Sequence, residues 1–199
     1  HLQKRYGRRL RDMVGISHAL IKRNYDNTQD RNHLEKFYGL RLKEIIDVIE
    51  SILISKQNLV DQGKLSINDA RQQAIAETRN VSFNSVGYVW ITDNVLPYPK
   101  MVMHPTMPSL NGKRLDDATF NCALGKKKNL FQAMAEICQR DGGGFVDYLW
   151  PKPSSTGGEL SKELLPKLSY VKLYEPWGWI IGTGVYIDDA VAEAKKRTL

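Results

Sequence analysis

The chain has 199 residues, a formal net charge of +7 and a hydrophobic content of 42%. This length suits one domain, or one domain with a helical extension, and the hydrophobic content is enough for a sizeable core. No run of about 18 apolar residues occurs, which excludes a membrane span within the chain. Basic residues gather near the two ends, and this pattern favours a neighbouring membrane surface over nucleic-acid binding. Because the first residue is His1, we expect an excised fragment whose flanking spans or signal sequence lie outside it.

Two amphipathic stripes dominate the first third of the chain. Apolar residues recur at intervals of three and four over residues 10–21 and again over 42–60, which predicts helices. The stretch "RNYDNTQDRN" between them is rich in Asn and Asp and favours a break or bend. Gly63 is predicted to end the second helix, and Ser66 to cap a further helix over about 67–79.

From residue 87 onwards the apolar period changes to two, which predicts strands. The sequence predicts strands over 87–92, 100–104, 144–150, 167–174 and 179–187, and helices over 126–140 and 188–197. The stretch "PKPSSTGGELSKELLP" is predicted to be a long loop. No βαβ crossover is present, so the predicted fold class is α+β, with one five-stranded antiparallel sheet packed on the long N-terminal helix.

Enzyme and cofactor motifs are not found. The stretch "WIIGTGVY" has only GxG, inside a strand pattern, where a dinucleotide fingerprint needs GxGxxG before a helix. Gly182 and Gly184 fall on one face of that strand, where we expect them to let the long helix approach closely. GxSxG, HExxH and CxxC do not occur, so we predict no catalytic residue, metal or cofactor. Cys122 and Cys138 either pair in an oxidising compartment or are small buried hydrophobes.

Aromatic and basic side chains on the strands indicate a small binding pocket. Alternation places Tyr88 with Trp90 on one face of their strand, and Tyr148 with Trp150 on one face of theirs. Tyr170 and Lys172 are assigned to the same face of the sheet. An ordinary aromatic core is the alternative, but the lysines favour an anionic ligand. The predicted ligand-binding residues are Trp90, Met103, His104, Tyr148, Trp150, Lys152, Tyr170 and Lys172.

Four stretches together resemble a known family. "GYVWITDN", "YPKMVMHPTMPSLNGK", "NLFQAMAEICQRDGGGFVDYLWPKP" and "KLSYVKLYEPWGWIIGTGVYIDD" are similar to the signature blocks of the single Cache domain, a PAS-like sensor domain of chemoreceptors and sensor histidine kinases. The resemblance covers about residues 41–190. It leaves 1–40 as an additional helical segment and 191–199 as the start of an exit helix toward the membrane.

The resemblance implies an extracytoplasmic, periplasmic sensor rather than an enzyme. The implied ligand is a small carboxylate of the acetate, propionate, pyruvate or lactate class, with no cofactor. Binding would shift the long helix relative to the exit helix, and flanking spans would anchor the receptor in the inner membrane. A homodimer formed through the helices is a further expectation. A small soluble enzyme of α+β fold is the alternative function.

Overall fold

The computed structural model describes residues 28–123 and 127–197. The chain divides into two compact units, His1–Leu40 and Arg41–Leu199. The predicted helical stripe over 10–21 lies outside the described residues, as does the first half of "RNYDNTQDRN", where a break was expected. The sensor limits of 41–190 and the exit-helix segment 191–199 stay predictions.

Four α-helices follow from the local sequence within the described residues. They are α1 (Thr28–Asp61), α2 (Ile67–Arg79), α3 (Leu130–Asp141) and α4 (Ile187–Arg197). The predicted start of α2 is confirmed, because the Ser66 hydroxyl accepts the Asp69 N–H at 3.1 Å. Helix α3 begins later than the predicted residue 126, because the Asn129 side chain caps it by accepting the N–H groups of Phe131 and Gln132.

One antiparallel sheet lies at the centre of the second unit. Its strands are β1 (Ser82–Phe83), β2 (Gly87–Asp93), β3 (Met101–Met103), β4 (Gly143–Pro153), β5 (Leu160–Tyr174) and β6 (Trp179–Tyr186). The order across the sheet is β1-β2-β6-β5-β4, and β3 also pairs with β2. The sheet therefore has the five predicted strands and one additional two-residue strand, β1.

The predicted loop over residues 151–166 is wrong. Strand β4 continues to Pro153 and β5 begins at Leu160, so only residues 154–159 connect them. Prolines are tolerated here because β4 is an edge strand. The first residues of β5 also extend past β6, which pairs only with Lys167–Tyr174. Pro166, which has no backbone N–H, therefore leaves no hydrogen bond to β6 unmade.

The two faces of the sheet pack against different partners. On the face that we call the helix face, Ile46, Ile49 and Leu53 of α1 join Val89 and Ile91 of β2 in one buried core. Each such fully buried aliphatic side chain contributes about 1.5–3 kcal/mol to folding. This packing confirms that the long helix covers one face.

The opposite face, which we call the loop face, is covered by α3 and by the segment between β3 and α3. Leu130, Phe131 and Met134 of α3 share a second buried core with Val146 of β4 and Val171 of β5. The two cores lie on opposite sides of one sheet, and every candidate side chain can be assigned to one of them by strand register.

Candidate functional site

Strand register collects polar and aromatic side chains on the loop face. Lys167 of β5 pairs with Tyr148 on one side and with Tyr186 on the other. Cross-strand partners project to the same face of a sheet. We call the resulting group the Lys167 cluster, which consists of Tyr88, Trp90, His104, Tyr148, Trp150, Lys167, Ser169 and Tyr186.

Lys167 is the central residue of this cluster. Its side chain is 1% exposed, and its Nζ donates a hydrogen bond to the Tyr88 hydroxyl at 2.9 Å. The Nζ also lies 4.0 Å from the Tyr88 ring centroid and 4.9 Å from that of Trp90. Lys167 forms no salt bridge within residues 28–123 and 127–197. Burial therefore lowers its pKa well below the ordinary lysine value.

His104 follows β3 and contacts the same aromatic group. Its ring stacks on Trp90, with centroids 6.4 Å apart and planes 19° apart. Its Nδ1 accepts the Met107 N–H at 3.1 Å, so in the neutral ring the proton is on Nε2. Burial, with a smaller contribution from the charge of Lys167, lowers the His104 pKa to about 3. His104 is thus a neutral Nε2–H donor at physiological pH.

Two indole N–H groups in the cluster have no acceptor. Trp90 Nε1 and Trp150 Nε1 are buried and lack a hydrogen-bond partner in the described part of the chain. A buried donor left without an acceptor costs about 1–3 kcal/mol. Such groups in a native protein are explained when a bound molecule supplies the acceptor.

The tyrosine hydroxyls in the cluster are fixed by the protein itself. Tyr148 exchanges a hydrogen bond with the Ser169 hydroxyl at 2.9 Å, and the Tyr186 hydroxyl donates to the Pro151 carbonyl at 2.7 Å. Burial raises the pKa of Tyr88, Tyr148 and Tyr186 above their ordinary range, so all three stay neutral. The cluster therefore combines one buried lysine, several neutral donors and aromatic walls, a set suited to a small anion with an apolar body.

Gly182 and Gly184 belong to this site and not to the contact with α1. The Cε2 atom of Trp90 lies 2.6 Å from where a Cβ on Gly182 would be, and Cε of Lys167 lies 2.9 Å from that of Gly184. The expectation that these glycines admit the long helix is therefore wrong. They let the Trp90 ring and the Lys167 chain lie flat on β6.

Four of the eight residues predicted to bind ligand come together in the cluster. These are Trp90, His104, Tyr148 and Trp150, whose rings form a chain of aromatic contacts. Phe120 and Phe131 extend this wall beyond Trp150, with centroids at 6.1 and 5.8 Å from its ring.

The other four predicted residues lie outside the cluster, although Lys152 Nζ lies 5.6 Å from the ring centroid of Tyr186. Met103 belongs to the helix-face core. Lys172 pairs with Glu50 of α1 at 3.1 Å and with Asp47 at 3.4 Å, so it also faces α1. Lys152 lies on β4 but binds Asp189 of α4 at 2.6 Å and Asp188 at 3.2 Å.

Tyr170 shows why the assignment of β5 to a face was wrong. Its register partner is Phe145, whose ring centroid lies 5.1 Å away, and both alternate onto the helix face. The odd-numbered residues of β5 face the cluster, and Lys167 and Ser169 are among them. Lys167 escapes the sequence prediction because the strand over 167–174 is assigned with Tyr170 and Lys172 toward the pocket, which places Lys167 on the other face. A lysine inside the apolar run "LPKLSYV" was the available signal.

The helix face has a groove of its own around Lys172. It has a volume of about 430 Å³ and is lined by Glu50, Asp141, Gly142, Gly143, Tyr170, Lys172, Leu173, Tyr174 and Glu175. Its one lysine is already paired with carboxylates, and three acids line it. The charge of this groove disfavours an anion, whereas the Lys167 cluster has no acidic side chain among its members.

Other site types are not supported within the described ranges. No group of three or more His, Cys, Asp or Glu side chains is arranged to hold a metal ion there. Cys122 and Cys138 are free thiols in the structure, and the Cys122 thiol donates to the Leu149 carbonyl at 3.2 Å. Over those ranges, none of the helices combines the length and the apolar character that crossing a bilayer requires.

Comparison with known proteins gives a consistent result. A family model described as "Cache domain" matches residues 1–199. The methyl-accepting chemotaxis protein McpP of Pseudomonas putida is 34% identical over 152 residues, which are 76% of this chain and 26% of that protein. The sensor histidine kinase MctS of Rhizobium johnstonii is 29% identical over 141 residues, or 69% of this chain and 27% of that protein. The chain thus spans about a quarter of the length of these relatives.

Solved structures are similar over most of the chain. A periplasmic sensor domain of a chemotaxis protein has 32% identity and a TM-score of 0.62, covering 74% of this chain and 93% of that one. A Cache chemosensory domain studied for its carboxylic acid recognition has 31% identity and a TM-score of 0.64, covering 78% and 97%. A methyl-accepting chemotaxis protein from Vibrio parahaemolyticus, at 24% identity and a TM-score of 0.59, supports the fold alone.

Proposed function

Because the chain belongs to the Cache domain family, a family of sensor domains in chemoreceptors and histidine kinases, we propose that it binds a small carboxylate at Lys167 as the extracytoplasmic input of a transmembrane receptor. The family and the PAS-like α+β fold predicted from the sequence are confirmed. The similar proteins are described as chemotaxis proteins, sensor domains and a sensor histidine kinase. The membrane spans of the receptor would lie outside this chain, and dimerisation through its helices stays a prediction.

The observation that carries the proposal is the buried ammonium group of Lys167. It has no carboxylate partner among the described residues, and its contacts are a tyrosine hydroxyl and three aromatic rings. A carboxylate ligand would provide the missing counter-charge in a site that excludes water. A charge-assisted hydrogen bond of this kind contributes about 1.5–3 kcal/mol.

The remaining donors fit the same ligand. The indole N–H groups of Trp90 and Trp150 lack acceptors among the residues that the structure describes, and His104 offers a neutral Nε2–H. Carboxylate oxygens accept up to four hydrogen bonds. The aromatic wall around Trp150 suits a short carbon chain. A similar Cache domain is known for carboxylic acid recognition, which supports the acetate, propionate, pyruvate or lactate class for this chain.

We propose that binding is transmitted through Tyr186 to α4. The Tyr186 ring lies 5.2 Å from Lys167 Nζ, and α4 begins at the next residue, Ile187. Lys152 of β4 holds Asp188 and Asp189 in the first turn of α4. A ligand that repositions Lys167 would therefore move the start of α4. Arg41 of α1 lies 3.9 Å from Glu193 of α4, so the same motion would reach α1.

Calorimetry on two matched lysine variants tests the site. Lys167→Met should lose binding of acetate, propionate, pyruvate and lactate by about a hundredfold, equivalent to about 2.7 kcal/mol. Lys172→Met is the control on the same strand, and its affinity should change by less than threefold, because Lys172 pairs with α1. Equal losses in both variants, or unchanged affinity in Lys167→Met, would contradict the proposed site.

A further inference from the structure

Lys167 has an unusual position for a residue that would bind an anion. Its ammonium group is 1% exposed, and no acidic side chain in the described part of the chain pairs with it. We propose, on the basis of the proposed carboxylate function, that the site takes up one proton from solution each time it binds a carboxylate anion. The receptor would then respond to the ligand and to the proton concentration together.

The titratable groups that face Lys167 are themselves uncharged, so none of them supplies a counter-charge. Tyr88 of β2, Tyr148 of β4 and Tyr186 of β6 are buried and neutral. His104, in the segment after β3, is neutral because burial lowers its pKa to about 3. The side chains that α3 contributes to this core are apolar or thiol, and the Cys138 thiol stays protonated because burial raises its pKa to about 12.

The acids near the cluster are directed elsewhere. Asp188 and Asp189 belong to α4 and bind Lys152. Asp147 of β4 alternates onto the helix face, opposite to its neighbour Tyr148, and its register partner is Leu168. Neither set of carboxylates therefore compensates the charge on Lys167.

The proton balance follows from the lack of an acidic partner for Lys167 among the described residues. Without a counter-charge, an ammonium group in a desolvated site loses its proton more easily than in water, so the ligand-free site favours the neutral amine. A bound carboxylate restores the ammonium form by direct ion pairing. Binding then joins one neutral amine, one free carboxylate anion and one proton from solution into an ammonium–carboxylate pair. No bond other than the new N–H bond is formed.

The sign of the pH dependence can be derived. The pKa of Lys167 is low in the free site and higher in the complex. Affinity is therefore greatest below the free-site pKa and falls by at most about tenfold per pH unit between the two values. The number of protons taken up rises toward one over the same interval. Above the pKa of the complex, affinity no longer depends on this group.

Calorimetry in buffers of different ionisation enthalpy measures the proton directly. We would titrate the intact wild-type chain with acetate and with propionate in phosphate, HEPES and Tris at pH 7.5, and in matched pairs of buffers at pH 6 and 9. The slope of the observed enthalpy against the buffer ionisation enthalpy gives the number of protons. We expect a positive slope that approaches about one proton as the pH rises.

Two variants assign the proton to its residue. Lys167→Arg carries a permanent charge, so its slope should be close to zero. In His104→Gln the positive slope should persist, even where its affinity is weaker. Should Lys167→Arg fail to fold or bind, the wild-type slope and His104→Gln still decide between the two residues.

The outcomes separate this inference from the proposed function. Binding with zero slope at all three pH values would overturn proton uptake and leave carboxylate binding intact. A slope that persists in Lys167→Arg, or that disappears in His104→Gln, would overturn the assignment to Lys167. If no carboxylate binds in any buffer, the proposed function fails and this inference fails with it.

Discussion

Replacing Lys167 by Met should make the ligand-free protein more stable while removing its affinity for carboxylates. Met keeps the length and most of the apolar stem of lysine but carries no charge. The lysine Nζ is buried against Tyr88, Trp90 and Tyr186, and no acidic side chain within residues 28–123 and 127–197 pairs with it. Folding therefore includes the cost of desolvating or neutralising this group, and the variant avoids that cost.

The expected gain can be bounded from known cases. Replacing buried ion pairs by apolar residues of similar volume is often neutral or stabilises proteins by up to about 4 kcal/mol, and an unpaired buried lysine has no partner whose attraction would be lost. For a chain of 199 residues, each kcal/mol raises Tm by about 2–4 °C. The control Lys172→Met removes salt bridges to Asp47 and Glu50 from a side chain that is 31% exposed. It should lose no more than about 1 kcal/mol.

The pH dependence adds a second, independent readout. Because the folded-state pKa of Lys167 is lowered, the unfolded chain binds more protons than the folded chain up to about pH 10.4. This contribution makes wild-type stability rise with pH, and Lys167→Met lacks it. The stability gap between the two proteins should therefore narrow as the pH rises.

Urea denaturation of wild type, Lys167→Met and Lys172→Met at several pH values measures both effects. Adding excess propionate should stabilise wild type and Lys172→Met but not Lys167→Met. The reasoning would be refuted if Lys167→Met were less stable than Lys172→Met. A stability gap that stayed constant with pH would also refute it.

Three further predictions concern single positions. Gly184→Ala places a methyl group against Lys167 Cε and the Leu168 carbonyl. In urea denaturation it should destabilise the fold by about 1–3 kcal/mol, and it should also weaken propionate binding. An unchanged denaturation curve would contradict the close approach. Asn129→Ala removes the cap of α3 and should cost about 0.5–2 kcal/mol by the same assay, with a neutral result counting against the cap. Burial lowers the His104 pKa to about 3, so between about pH 6.5 and 3 the unfolded chain binds a proton at His104 that the folded chain does not. The free energy of unfolding therefore decreases as the pH falls from about 6.5, by up to about 1.4 kcal/mol per pH unit. His104→Gln should flatten that acid limb, and identical limbs in the two proteins would argue against a neutral buried histidine.

Much of the fold follows from local patterns in the sequence. The start of α2 is set by Ser66, whose capping role depends on residues three positions apart. Strand β6 differs from its predicted range of 179–187 by one residue and ends where α4 begins. Such features need no information about distant parts of the chain, which is why the sequence is sufficient for them.

The site was harder to predict, because it depends on how strands pair. The face of Tyr170 is set by its register with Phe145, and a shift of one residue exchanges the two faces of a strand. Aromatic residues occur on both faces of this sheet, so their identity alone does not give the register. Lys167 escapes prediction for the same reason, since it lies on the opposite face of β5 from Tyr170.

Strand β6 ends at Tyr186 and α4 begins at the next residue, Ile187. This direct connection limits how the ligand preference of such a receptor could change during evolution. Tyr186 belongs to the Lys167 cluster and Ile187 is the first residue of α4, so no linker between them could absorb a change in length. Inserting one residue at this junction would rotate α4 by about 100° and translate it by about 1.5 Å. New ligand preferences are therefore expected to arise by side-chain replacement on β2 and β4, whose C-terminal ends lead into loops. Length variation among descendants should be found in those loops and be rare at the junction between β6 and α4.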